Sequence, residues 1–292
     1  MSHDRLDRFL DRAEQLLARV EPLLPPTSPE PDWHASTAFR WCRRLGSGFL
    51  APVAAPHAVA LASLRNVDRQ KAQLARNTRQ FLAGLPANNA LLWGTRGTGK
   101  SSLIKALLHE YADGGLRLVE VDKSDLVDLA AVADVLRRRP ERFIVFCDDL
   151  SFEADDPGYK ALKAILDGSV SAPPDNVVIY ATSNRRHLMP EYLTDNNEAR
   201  NVDGETHPGE AVEEKISLSE RFGLWLSFHP FGQDAYLDIV QGWLTAFGVD
   251  ESLDAVREDA LRFALERGSR SGRVAWQFAR DRAGRQGLAD DG

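Results

Sequence analysis

An α/β fold built on a parallel sheet is predicted by three features of this 292-residue chain. Short apolar runs suited to buried strands alternate with segments of helical period. One such run, Ala90-Leu91-Leu92-Trp93, opens directly into Gly94-Thr95-Arg96-Gly97-Thr98-Gly99-Lys100-Ser101, and the helical pattern Ser102-Leu103-Ile104-Lys105-Ala106-Leu107-Leu108 follows. From Asp234 onward the pattern is helical throughout. Strand, glycine loop, helix is the order in which backbone N–H groups curl around a phosphate chain, and the helix N-terminus adds partial positive charge at the same point.

Taken in order, Leu6, Leu10, Ala13, Leu17 and Val20 recur at helical spacing among charges and predict a short amphipathic helix, stopped by Pro22, Pro25, Pro26, Pro29 and Pro31. Trp33, Phe39 and Trp41 read as aromatics that pack this N-terminal region onto the main domain, ahead of a Gly/Ala/Pro stretch from Gly46 to Pro56. A long helical pattern runs from His57 to Leu82 and ends at Gly84. Strands predicted at Leu116–Val121, Phe143–Cys147, Val177–Ala181 and Leu224–Phe228 join the one at Ala90, giving a five-stranded parallel sheet sandwiched by helices. Arg137-Arg138-Arg139 closes one of those helices before Pro140, where cations favour a helix C-terminus. Thr194 to Lys215 is polar and acidic and predicts an excursion from the sheet. Gly248 and Gly268 divide the C-terminal part into three helical segments. The expected organisation is an N-terminal helical region with a Pro-rich linker over 1–62, a phosphate-loop core over 63–232 and a helical unit over 233–292.

Charge narrows the partners. Asp and Glu number 43 against 36 Lys and Arg, a formal net charge of -7. That balance argues against a constitutive nucleic-acid or anionic-membrane binder, which usually carries a basic face, while leaving room for a local nucleic-acid contact. Cys42 and Cys147 are far apart in sequence, so neither a disulfide framework nor a metal cluster is expected. No long uncharged apolar segment occurs, and Asp4, Arg5, Asp7 and Arg8 do not resemble a signal peptide, so a cytoplasmic protein is expected.

The glycine loop is a complete Walker A motif. Residues Gly94, Thr95, Arg96, Gly97, Thr98, Gly99, Lys100, Ser101 and Ser102 would line ATP, with Lys100 reaching the β- and γ-phosphates and the Ser101 hydroxyl offered to Mg²⁺. Such a loop needs a carboxylate at the end of a neighbouring strand. Phe143-Ile144-Val145-Phe146-Cys147-Asp148-Asp149 provides it in the Walker B form, with Asp148 as the Mg²⁺ partner, directly or through water. Asp149 then holds the position of the base that orients the attacking water, and Glu153 is the nearest alternative. Asn184, at the end of the next buried strand, can hydrogen-bond the γ-phosphate or its water at the sheet edge where α/β proteins bind ligands.

At this point the chain resembles the AAA+ ATPase superfamily over roughly residues 63 to 285. The resemblance implies that Asn184 is the first sensor and that Arg221, in Ser219-Glu220-Arg221-Phe222-Gly223, is an arginine finger reaching a neighbouring subunit's nucleotide. It also implies that Arg273, in Ser271-Gly272-Arg273, is the second sensor, carried by a helical lid over 233–292; Ser271 would cap that helix. A narrower resemblance rests on Ala38-Phe39-Arg40-Trp41, Asn77-Thr78-Arg79-Gln80-Phe81, Leu92-Trp93-Gly94, Phe146 to Glu153 and Ala181 to Leu188. These stretches are similar to a mostly bacterial AAA+ family defined only as a domain of unknown function, which also carries Asp-Asp at Walker B.

The expected function is therefore an oligomeric ATP-hydrolysing switch or remodelling ATPase with ATP and Mg²⁺ as cofactors, acting on a macromolecular partner, a protein in preference to nucleic acid. The competing reading is a nucleotide-gated binding module or nucleic-acid loader with negligible hydrolysis. A small-molecule kinase has only Arg185 and Arg186 in its favour. The Asn-Lys-x-Asp guanine motif and the ABC signature loop do not occur, and no aromatic-glycine pore loop follows the strand ending at Val121, so polypeptide threading is not expected.

Overall fold

In a computed structural model of the chain, the strands are β1 (Ala38–Arg44), β2 (Ser47–Pro52), β3 (Ala90–Gly94), β4 (Leu116–Glu120), β5 (Arg142–Cys147), β6 (Val177–Ser183), β7 (Arg200–Val202), β8 (Glu205–His207) and β9 (Leu224–Phe228). The structure describes residues 9–10, 12–16, 31–44, 46–153, 156–168, 174–186, 188, 200–202, 205–207 and 218–290. One sheet has the order β2-β1-β4-β5-β6-β3-β9. All its neighbours pair in parallel except the outermost pair, β1 and β2.

The five expected strands are all present, but the sheet has seven. The two additional ones correct the expectation that the N-terminal region is helical, because residues 38–52 extend the main sheet beside β4. Strand β2 lies in the stretch rich in glycine, alanine and proline, which carries weak strand propensity, and here pairing and packing override it. Phe39 and Trp41 are buried in the same cluster as Val119 and Phe143, while Trp41 Nε1 donates to Asp128 at 3.0 Å. Gly48 lies directly under the Trp41 ring, where a Cβ would sit 2.0 Å from Cζ2. Of the predicted N-terminal helix, residues 9–10 and 12–16 are helical; Leu6, Leu17, Val20 and the Pro-rich linker up to residue 30 lie outside the described residues.

The main helices are α1 (Asp68–Leu82), α2 (Lys100–Tyr111), α3 (Leu129–Arg137), α4 (Pro157–Asp167), α5 (Gln233–Ala246), α6 (Leu253–Glu266) and α7 (Gly272–Asp290). The helical pattern expected from His57 forms a 3₁₀ turn at Leu61–Ser63 and an α-helix only from Asp68, since Asn66 between them takes φ 61, a left-handed conformation that a right-handed helix does not accommodate. Gly84, Gly248 and Gly268 end α1, α5 and α6 with φ of 73, 70 and 65. Each supports the paired hydrogen bonds that satisfy terminal carbonyls, as in Gly248 N–H to Thr245 O and Val249 N–H to Leu244 O. Of the acidic excursion, only β7 and β8 are described, and they pair antiparallel.

Apolar clusters cover both faces of the sheet. One includes Leu91, Val145, Phe152 and Phe222, the other Leu92, Leu103, Ile144 and Phe228. Helices α5, α6 and α7 close on a third cluster of their own, centred on Tyr236, Val256 and Phe278.

A buried polar knot ties α1 to the sheet. Asn77 Nδ2 donates to Asn88 O at 2.8 Å and to Tyr180 Oη at 3.0 Å, and Asn77 Oδ1 accepts from Asn88 N–H at 3.0 Å. Replacing Asn77 by leucine strands the Asn88 amide and carbonyl. We therefore expect Asn77→Leu to lower unfolding stability by about 3 kcal/mol, since each buried unpaired polar group costs about 1–3 kcal/mol. Urea denaturation at unchanged m checks this, and a loss under about 1 kcal/mol would mean that the knot is dispensable.

Candidate nucleotide site

Strands β3 and β9 and helix α2 converge on the glycine loop. Strand β3 delivers it, and Thr95 N–H donates to Phe228 O at 3.0 Å, which anchors the loop to the end of β9. Gly94 has φ 126, and a Cβ there would stand 1.9 Å from Phe228 O, so only glycine permits this approach. Thr98 Oγ1 closes the turn on Thr95 O at 2.7 Å. Gly99, with φ 99, precedes α2, and no side chain caps the first turn of that helix. Its leading N–H groups and partial positive charge therefore point at the loop's interior.

Lys100 is 7% exposed and donates to Gly94 O at 2.7 Å, Thr95 O at 2.8 Å and Asn184 Oδ1 at 3.1 Å. Burial pushes its ammonium down to about 8, against the opposing pull of Asp149 and Asp148; Arg96 and Arg273 push the same way as burial. Ser101 Oγ donates to Asp148 Oδ1 at 2.6 Å. Asn184 Nδ2 donates to Asp149 Oδ1, so one amide bridges the lysine and the second aspartate. Asp149 itself has φ 51, a strained conformation that aspartate tolerates better than most residues.

The structure thus brings Lys100, Ser101, Asp148, Asp149 and Asn184 together. Arg273 joins them from the helical unit: its N–H donates to Gly97 O at 3.3 Å and its charge reaches Lys100. Ser271 caps α7, its Oγ accepting from Val274 N–H at 3.3 Å. Arg221 is not brought to this cluster; it ion-pairs with Asp167 at the C-terminus of α4. Glu153 is exposed and does not figure among the charges acting on Lys100. Arg139, from the basic run, pairs with Glu141 at 3.0 Å and stacks over Trp33.

Two features escaped the sequence. Thr182, buried within β6, donates to Asp148 Oδ1 at 2.5 Å and accepts from Asp149 N–H at 2.9 Å, so it sets both aspartates. A hydroxyl directly after the apolar run Val177 to Ala181 is the signal available for it. The second feature is a cavity of about 310 Å³ beside the loop, lined by Asn66, Gln70, Phe228, His229, Phe231 and Ala235 among others. Residues before α1 and after β9 meet there, and Asn66 Nδ2 donates to Asp238 Oδ2 at 2.8 Å while Arg65 pairs with the other oxygen at 2.6 Å. Nothing in local sequence links two segments so far apart along the chain.

A family model described as a protein of unknown function, DUF815, matches residues 34–286, which takes in the N-terminal hairpin as well as the loop and the helical unit. The chain belongs to this family. Among curated proteins none matches it. Solved structures similar to this DUF815 chain include two single-substitution variants of Thermotoga maritima RuvB, both 16% identical with TM-score 0.51. They cover 76% of this chain and 63% and 64% of theirs, so it spans less than two thirds of the RuvB length. The AAA domain of FIGL-1 in complex with ADP is 17% identical with TM-score 0.50, covering 77% of this chain and 73% of that one. These likenesses establish an AAA+ P-loop fold for the DUF815 chain.

Proposed function

We propose that this protein binds and hydrolyses ATP and works as an oligomeric switch or remodelling ATPase on a macromolecular partner, with residues 233–292 acting as a lid over the core. The observation that carries this reading is the single hydrogen-bonded chain from Lys100 through Asn184 to Asp149, beside Ser101 and Asp148. The donor set fits the nucleotide. An uncapped helix start, a buried lysine and glycines at positive φ make an anion cradle, and the nearby cavity has room for a base.

It also fits Mg²⁺. A serine hydroxyl and one carboxylate are hard oxygen donors, and Mg²⁺ is commonly held by few protein ligands together with substrate phosphates. When bound, the ion neutralises charge on the phosphates. Thr182 holds Asp148 in place, Lys100 supplies charge to the phosphates, Asn184 orients Asp149, and Asp149 accepts the proton of the attacking water. Arg273 would bring the lid onto the same phosphates.

The test is direct. ATP turnover is expected of the wild type, and Lys100→Ala should lose both nucleotide binding and turnover, as followed by calorimetry and phosphate release. ATP binding with no turnover under any protein concentration would leave the gated binding module in place of the ATPase.

The lysine also predicts a pH dependence. Above about 8 the free protein loses the Lys100 proton, whereas phosphate favours the ammonium, so binding must take a proton from solution. ATP affinity is then expected to fall by up to about tenfold per pH unit above that value. Calorimetry at pH 9 in two buffers of different ionisation heat measures the uptake; none at all would place the lysine's transition elsewhere.

A further inference from the structure

Arg96 is the charged loop residue whose side chain the proposed chemistry leaves unused. Its side chain is 76% exposed, and Nη2 stands 3.7 Å from Asp149 Oδ2. The other oxygen of that carboxylate accepts from Asn184, so both oxygens of the proposed base face a donor. An exposed ion pair at this distance adds almost nothing to stability, so the fold does not account for a cation here. The same guanidinium acts on the Lys100 ammonium, as does Arg273, which places it within electrostatic reach of the spot where Lys100 would meet a terminal phosphate.

We infer that Arg96 is a catalytic cation supplied in cis, which passes from Asp149 to the terminal phosphoryl group of ATP held by its own subunit. The inference rests on the proposed ATPase reading. The exchange frees Asp149 Oδ2 as a proton acceptor. Water oxygen bonds to the γ-phosphorus as its proton passes to Asp149, the bond from phosphorus to the β–γ bridging oxygen breaks, and the electron pair stays on ADP. Arg96 ends unchanged, having balanced charge on the equatorial oxygens. Its planar fork can engage two of those oxygens together, which a lysine cannot.

The experiment compares wild type, Arg96→Ala and Arg96→Lys for affinity to ADP alone, affinity to ADP with aluminium fluoride as a mimic of the transferring phosphoryl, and kcat and KM. For Arg96→Ala, ADP affinity and KM should stay within about threefold of wild type, while the fluoride complex weakens and kcat falls by about tenfold or more, as removal of a group that acts only in the transition state requires. Arg96→Lys should recover part of both. The deficit should be the same at every protein concentration, since the cation comes from the same chain. Equal fluoride-complex affinity in wild type and Arg96→Ala would overturn the inference, as would faster turnover in Arg96→Ala, which would make Arg96 a brake on Asp149. Wild type that binds ADP and the fluoride complex without ATP turnover refutes the ATPase reading instead, and the affinity comparison still decides the place of Arg96.

Discussion

Turnover of Arg221→Ala is expected to fall by about 10³-fold or more at concentrations where subunits associate, the scale of an arginine finger supplied in trans. Arg221 lies apart from the Lys100 cluster within its own chain and is held by Asp167 at the end of α4, whereas Arg273 already attends the loop from the helical unit. The proposed oligomeric reading gives the two arginines to different subunits. Turnover per wild-type subunit should therefore rise with protein concentration. Mixing inactive Arg221→Ala with inactive Lys100→Ala should restore part of the activity, because some interfaces then join an intact loop to an intact finger. Asp167→Asn, which loosens the guanidinium without removing it, should cost less than Arg221→Ala. A rate strictly proportional to concentration down to dilute monomer, with no rescue on mixing, would sink the trans assignment and leave Arg221 as a structural or same-subunit residue.

Asp149→Asn should bind ATP and stall, with kcat down by about 10²–10⁴, the usual contribution of a general base. The amide keeps the size of the carboxylate but cannot take a proton. Geometry favours Asp149 over Glu153 as the proposed base. Asp149 receives the Asn184 amide and lies beside Arg96, while Glu153 contributes a backbone carbonyl to Asp156 N–H and leaves its side chain in solvent. Glu153→Gln should therefore turn over ATP at close to the wild-type rate. Lost turnover in Glu153→Gln with unchanged turnover in Asp149→Asn would move the base to Glu153, and full activity in both would remove it from this strand end.

Local pattern is enough to place the strand that carries the loop, the loop, the helix behind it and the strands that run into Asp148 and Asn184. Each of these is a local pattern: a run of buried apolar residues, glycines at fixed offsets, a polar residue where the run stops. The ends of the last helices were legible for the same reason, because a glycine in the left-handed region ends a helix wherever it falls. Contacts between distant segments were not legible. Residues 38–52 read as packing aromatics followed by a Gly/Ala/Pro stretch, and only pairing with β4 and the Trp41 ring lying on Gly48 make them strands. Thr182 read as one more residue of a buried strand until its hydroxyl met Asp148 across the sheet, and the cavity beside the loop exists only where Asn66 and His229 come together. The ion pair of Arg221 with Asp167 and the approach of Arg96 to Asp149 belong to the same class. Local period and turn chemistry are written along the chain, whereas the partner of a side chain is chosen by the packing of the whole fold, and most of this site's hydrogen bonds are choices of that second kind.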